Sequence, residues 1–139
     1  MLSDTLVTNE IKNASGTEVE FSRWSSSGRS TEFRNPAAAP SLPQILSISH
    51  TETGTGLRRV RRSVIRFDVS HISTVDDVTP LGTECHLVLT NPIGGIETNA
   101  QAQLVLAYMM SFLASLGANA TILYDGTGNG AKTLLEGSL

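Results

Sequence analysis

Residues 57–69 read Leu57-Arg58-Arg59-Val60-Arg61-Arg62-Ser63-Val64-Ile65-Arg66-Phe67-Asp68-Val69, and the period of this stretch decides the fold. Side chains of a strand alternate between two faces. On that rule Arg58, Val60, Arg62, Val64, Arg66 and Asp68 share one face, and Ile65, Phe67 and Val69 share the other as core. The stretch therefore predicts a long strand with one charged and one apolar side. Gly54-Thr55-Gly56 before it is a turn, and Ile45 to Thr53 is the strand that leads in. Ser47, Ser49, Thr51 and Thr53 line one face of that neighbour, and Leu46, Ile48 and His50 the other.

Working outward, the N-terminal side continues in strands. Thr5 to Ile11 and Glu18 to Trp24 flank the turn cluster Asn13-Ala14-Ser15-Gly16, which predicts a hairpin. Ser30 to Arg34 is a short strand, and the proline-rich segment 35–43 suits an extended connection. On the C-terminal side, Ser70 to Gly82 is polar, contains Asp76, Asp77 and Pro80, and predicts an exposed loop. Thr83 to Thr90 is a further strand, with Cys85, Leu87 and Leu89 on one face and His86, Val88 and Thr90 on the other. Five or six antiparallel strands result.

The period then changes. Thr98-Asn99-Ala100-Gln101 has the pattern of a capping box, and a helix is expected from there to about Leu116, ended by Gly117. Leu104, Val105, Leu106, Tyr108, Met109, Phe112, Leu113 and Leu116 cover most of its circumference, with no charged residue between Thr98 and Tyr124. A helix apolar nearly all round is buried on several sides. One sheet in so small a chain covers only one of them, so a second subunit is expected over the rest. The dense apolar run, Leu104 to Leu116, is shorter than the roughly 20 residues a bilayer needs.

A chain of 139 residues is enough for one domain with an ordinary core. Its formal charge of −3 hides a reversal: Arg58, Arg59, Arg61, Arg62 and Arg66 place five cations and no anion in nine residues, leaving −8 elsewhere. Arginine outnumbers lysine eight to two. Guanidinium pairs bidentately with phosphate and stacks on bases, so a strand of this kind beside a Ser/Thr-lined strand suits RNA. The bland alternative is a solvated outer face.

Other chemistry is not called for. Cys85 is the single cysteine and reads as a core thiol, and His50, His71 and His86 lack metal-ligand spacing, so neither metal nor cofactor is expected. The opening MLSDTLVTNE has neither a basic start nor an apolar run, so no signal peptide is expected. Gly126 to Thr133 approaches a phosphate loop, but Ala131 separates Gly130 from Lys132, and a flexible turn is the better reading. No set of residues argues for catalysis or a small-molecule substrate.

Three cues together resemble the coat proteins of single-stranded RNA bacteriophages, the levivirus group. They are the order Ile65-Arg66-Phe67-Asp68-Val69, the segment Leu89-Thr90-Asn91-Pro92-Ile93, and Thr98-Asn99 followed by Gln103-Leu104-Val105 leading into an apolar helix. The resemblance implies an α+β fold in one coat-protein domain spanning 1–139. An N-terminal β-hairpin would precede a five-stranded antiparallel sheet, and one or two C-terminal helices would pack across an intertwined dimer.

It further implies a capsid subunit, assembled in the bacterial host cytoplasm into the virion shell. Its partners would be further copies of itself and single-stranded RNA, with no membrane. On this reading Leu104, Val105, Tyr108, Met109, Phe112, Leu113 and Leu116 form the dimer interface, and the loop with Ser70, Asp76, Asp77, Pro80 and Gly82 packs between dimers. RNA would meet Arg66 first and Arg62 second, with Arg58, Ser47, Ser49, Thr51, Val64, His86 and Thr90 around them. In the family this face also binds a stem-loop that represses replicase translation. There an aromatic side chain and an asparagine hold a looped-out base; here Glu84 and His86 stand in their places, and Glu84 can neither stack nor attract phosphate. The alternative function is a dimeric β-sheet regulator that reads nucleic acid and never assembles.

Overall fold

The computed structural model describes residues 2–95, 98–117 and 122–137. They form two compact units, Met1–Val7 with Glu20–Ile96, and Thr8–Val19 with Glu97–Leu139.

The first unit is a six-stranded antiparallel sheet in chain order, β1 (Thr5–Leu6), β2 (Phe21–Ser27), β3 (Ser30–Arg34), β4 (Gln44–Thr53), β5 (Val60–Ile72) and β6 (Pro80–Asn91). Because successive strands pair as hairpins, the register carries the alternation of β5 across the sheet. Leu46 faces Phe67 and Phe33 faces Leu46, so their apolar sides coincide. The buried core, Leu6, Phe21, Phe33 and Leu46, lies on that one face, where Phe21 meets the Phe67 ring edge-on at 6.1 Å.

The expected core is corrected toward β6. Ile65, Val69 and Cys85 are exposed, while Phe67, Leu87 and Leu89 on the same face are half-buried. The expected long loop is also corrected. β5 runs on to Ile72 and β6 starts at Pro80, so Ser70, Pro80 and Gly82 are strand residues and the loop is only 73–79. Asp76 closes it by accepting from the N–H groups of Val78 (3.1 Å) and Thr79 (3.0 Å) and from the Thr79 hydroxyl. These bonds hold the Asp76 carboxyl down to about 2. Val75 and Val78 stand out from this fixed turn at 94% and 76% exposure.

The second unit holds the N-terminal turn and both helices. Asn13 Oδ1 accepts from the N–H groups of Ser15 and Thr17, and Lys12 bridges Glu18. The expected hairpin is thus tied at its tip, while its strand pairing is limited to β1 and this bridge. Helix α1 spans Ala100–Ala114 and begins at Asn99, whose side chain makes no capping bond. The Thr98 hydroxyl accepts from the N–H of Ala100 at 3.5 Å and not from Gln101, so the expected capping box is reduced to one long bond. It stops before Leu116, at an extended Ser115. Helix α2 spans Asn129–Glu136. The glycine-rich stretch serves packing: a Cβ on Gly128 would lie 2.2 Å from the Leu113 carbonyl oxygen, and one on Gly130 2.6 Å from the Phe112 ring. No residue of α1 is buried, and Val105, Tyr108, Met110 and Phe112 are each more than half exposed.

Candidate nucleic-acid interface

The face opposite the core is assembled by register. Ser47 pairs with Arg66 and Arg66 with His86; Ser49 pairs with Val64 and Val64 with Val88; Thr51 pairs with Arg62 and Arg62 with Thr90. Seven of the residues expected at RNA, Ser47, Ser49, Thr51, Arg62, Val64, Arg66 and Thr90, therefore meet on one surface with the eighth, His86. None of the eight is buried. Arg58 is the exception. The chain closes the β4–β5 turn with a 3-10 helix, Gly56–Arg58, in which Arg58 N–H donates to the Thr55 carbonyl. Arg58 thus stands at the end of the sheet, outside the alternation.

That turn is held tightly. Gly94 N–H donates to the Arg59 carbonyl at 2.9 Å, and a Cβ on Gly94 would lie 2.1 Å from the Gly56 carbonyl oxygen. Rigid backbone on both sides cannot yield cheaply. Gly94→Ala should cost about 1–3 kcal/mol, the usual range for overpacking, measured by urea unfolding.

Charge is distributed unevenly over the face. Arg66 is engaged: its Nε and Nη2 donate to Asp68 Oδ1 at 2.8 and 2.6 Å, and Nη2 donates to Glu84 Oε2 at 2.6 Å. The Asp68 hydrogen bond, with the charges of Asp68 and Glu84, raises the guanidinium above its ordinary value against a cost of burial. His86 Nε2 lies 3.5 Å from Glu84 Oε1. Around Arg66, one guanidinium thus faces two carboxylates, Asp68 and Glu84. By contrast, Arg62 is exposed and, among the described residues, pairs with no carboxylate; the same holds for Arg58. The free positive charge of the face lies at its β4–β5 end.

Behind that end, on the core side, Arg29, Arg61 and Arg59 converge on Glu52 at 2.8, 2.9 and 3.1 Å. Hydrogen bonds from Arg29 and Arg61 lead in lowering the Glu52 carboxyl from 4.5 to about 2, with the charges of Arg29 and Arg59 adding to them. A carboxyl lowered on folding stabilises the fold fully above its unfolded value and loses that contribution as pH falls through the folded one. Wild-type protein should therefore lose thermal stability between about pH 4.5 and 2, and Glu52→Gln should lack that part of the decline.

The same face carries a residue that the alternation did not bring to notice. The pairing of β2 with β3 shifts register between Arg23 and Ser25, which extrudes Trp24. The Arg34 guanidinium lies 4.4 Å from the centre of its ring. The lone tryptophan set among serines was the available signal; its direction depends on a bulge that only the paired register reveals.

No family model matches the sequence, and no curated protein sequence matches it. Solved structures do match. The coat protein of bacteriophage EMS014 superposes with a TM-score of 0.67 at 16% identity, over 87% of each chain. The virus-like particle of Beihai levi-like virus 32 gives 0.57 at 20% identity, over 68% of this chain and 75% of that one. The capsid protein of bacteriophage GA gives 0.54 at 16% identity, over 87% and 85%. The fold of this chain is that of levi-like bacteriophage coat proteins, the α+β arrangement of antiparallel sheet and two C-terminal helices.

Proposed function

We propose that this chain is a capsid subunit that dimerises, assembles into an icosahedral shell and packages single-stranded RNA. The coat-protein fold carries the reading, since it spans 87% of the chain in the EMS014 comparison. Three surfaces support the homodimer. β6 leaves one edge of a 12-residue strand unpaired in the sheet order, which in isolation is an invitation to pair with another chain. Ile65, Val69 and Cys85 are exposed on the apolar side of β5 and β6, and α1 presents apolar residues around its circumference. A second copy would bury all three, with Leu104, Val105, Tyr108, Met109, Phe112, Leu113 and Leu116 at the contact. The expressed protein should copurify with nuclease-protected RNA, shown by a nucleic-acid absorbance ratio in the particle fraction. RNA-free dimers at every salt concentration would favour a non-assembling regulator or a protein of another role.

On the inner face, Arg62 takes precedence over Arg66 as the phosphate contact, because Asp68 and Glu84 already hold Arg66. Thr51 and Thr90 beside Arg62 supply hydroxyl donors. Arg62→Ala should weaken RNA binding and flatten the salt dependence by about 0.7 in log–log slope, the value for one single-strand phosphate contact. Glu84→Gln should strengthen binding, by removing a carboxylate that repels phosphate and competes for Arg66. Filter binding across a salt series measures both. Repression through a genomic stem-loop would need a base pocket of a different kind at Glu84 and His86.

A further inference from the structure

We infer that Trp24 and Arg34 form a stacking site for an unpaired nucleobase of single-stranded RNA, separate from the phosphate contacts at Arg62. The inference rests on the RNA-packaging reading and adds to it a site on strands β2 and β3.

Four observations carry it. Trp24 is 65% exposed, although a tryptophan holds more apolar area than any other side chain and ordinarily finds cover. Its direction is built in, because the bulge opposes both Trp24 and Ser25 to the single residue Glu32; bulges of this kind re-aim a side chain. It lies on the face of Arg34, which the register joins to Ile45 and thence to Asp68, the same face as Arg62 and Arg66. Finally, the guanidinium over one side of the ring is itself tied by Glu32, to which Arg34 Nε donates at 2.8 Å. An indole fixed by a stacked cation has lost its freedom before a ligand arrives, and it keeps ring surface for a second planar group. Base–aromatic stacking needs no particular sequence, since every base has a π-face.

The surface between the two sites suits a nucleic-acid strand. Trp24 stands level with Arg66, three strands away, about 14 Å at the usual strand spacing. Ser25, Ser27, Ser30, Ser47 and Ser49 lie on the same face around that row, which also crosses Glu32, whose carboxylate is paired with Arg34 at 2.8 Å. The serine hydroxyls offer donors to phosphate and 2′-hydroxyl groups.

Trp24 is the only tryptophan, so its emission reports on the site directly. Nucleic-acid-free protein would be titrated with a short oligoadenylate, with affinity read in parallel by filter binding. Emission should be quenched along the same curve as binding, and inorganic polyphosphate should compete for binding without quenching. Trp24→Ala should weaken binding about tenfold, and Trp24→Phe, which keeps a ring, should retain most of the affinity. Binding with unchanged emission and unchanged affinity in Trp24→Ala would overturn the stacking site while leaving RNA packaging intact. No binding of the oligonucleotide at low salt would overturn both. Loss of particles in Trp24→Ala at unchanged RNA affinity would overturn the inference in favour of a contact between copies.

Discussion

Tyr108→Asp should leave a folded protein that neither dimerises nor forms shells. Tyr108 is 66% exposed on α1, so within one chain the aspartate remains solvated and the fold has little to lose. In the proposed dimer the same position is covered. Full burial of a large apolar side chain contributes about 1.5–3 kcal/mol, and burying an unpaired carboxylate costs several kcal/mol more. The dimer symmetry applies the change twice. Even about 6 kcal/mol, well under that sum, weakens association by more than about ten-thousandfold. Sedimentation equilibrium should show monomer at concentrations where the wild type is dimeric, with circular dichroism unchanged. Wild-type dimerisation in the variant would remove α1 from the interface.

The second large effect concerns the loop 73–79. Replacing Thr74–Val78 by Asn-Gly should abolish shells and leave dimers intact. The strands are already paired to Ile72 and Pro80, and Ser73 N–H donates to the Thr79 carbonyl at 2.8 Å, so a two-residue turn can close the hairpin. What is lost is the projecting tip with Val75 and Val78, the apolar side chains that this turn offers to a neighbouring dimer. Shells that still form would assign assembly to other surfaces. Dimers lost together with shells would place the loop in the dimer contact instead.

Much of the sheet was legible in the sequence because period-two alternation depends on residues that are adjacent along the chain. Alternation groups Arg62, Val64 and Arg66 on one face of their strand and Ser47, Ser49 and Thr51 on one face of theirs, and the register joins the two groups. Errors arose where a partner strand or a turn decides the outcome. Arg58 left the face because a 3-10 turn, closed by bonds to Thr55 and Gly56, precedes β5. Ser70, Pro80 and Gly82 look like loop residues, yet each is carried into the ladder by its opposite number. Polarity within one segment holds no record of that pairing.

The charge pattern shows the same division. The basic segment is plain in the sequence, but its free charge is not. Asp68 is two residues from Arg66 and Glu84 is eighteen residues away, and only the cross-strand alignment brings both carboxylates to one guanidinium. The bulge at Trp24 is a further case, since a bulge is defined by what lies opposite it. Sidedness could be read from the chain; the pairing of individual charges could not.

The most direct test of a capsid role is negative-stain electron microscopy of the protein expressed and purified alone. Closed, uniform shells that copurify with RNA are the predicted result. Discrete dimers without shells, at every protein and salt concentration tried, would contradict it.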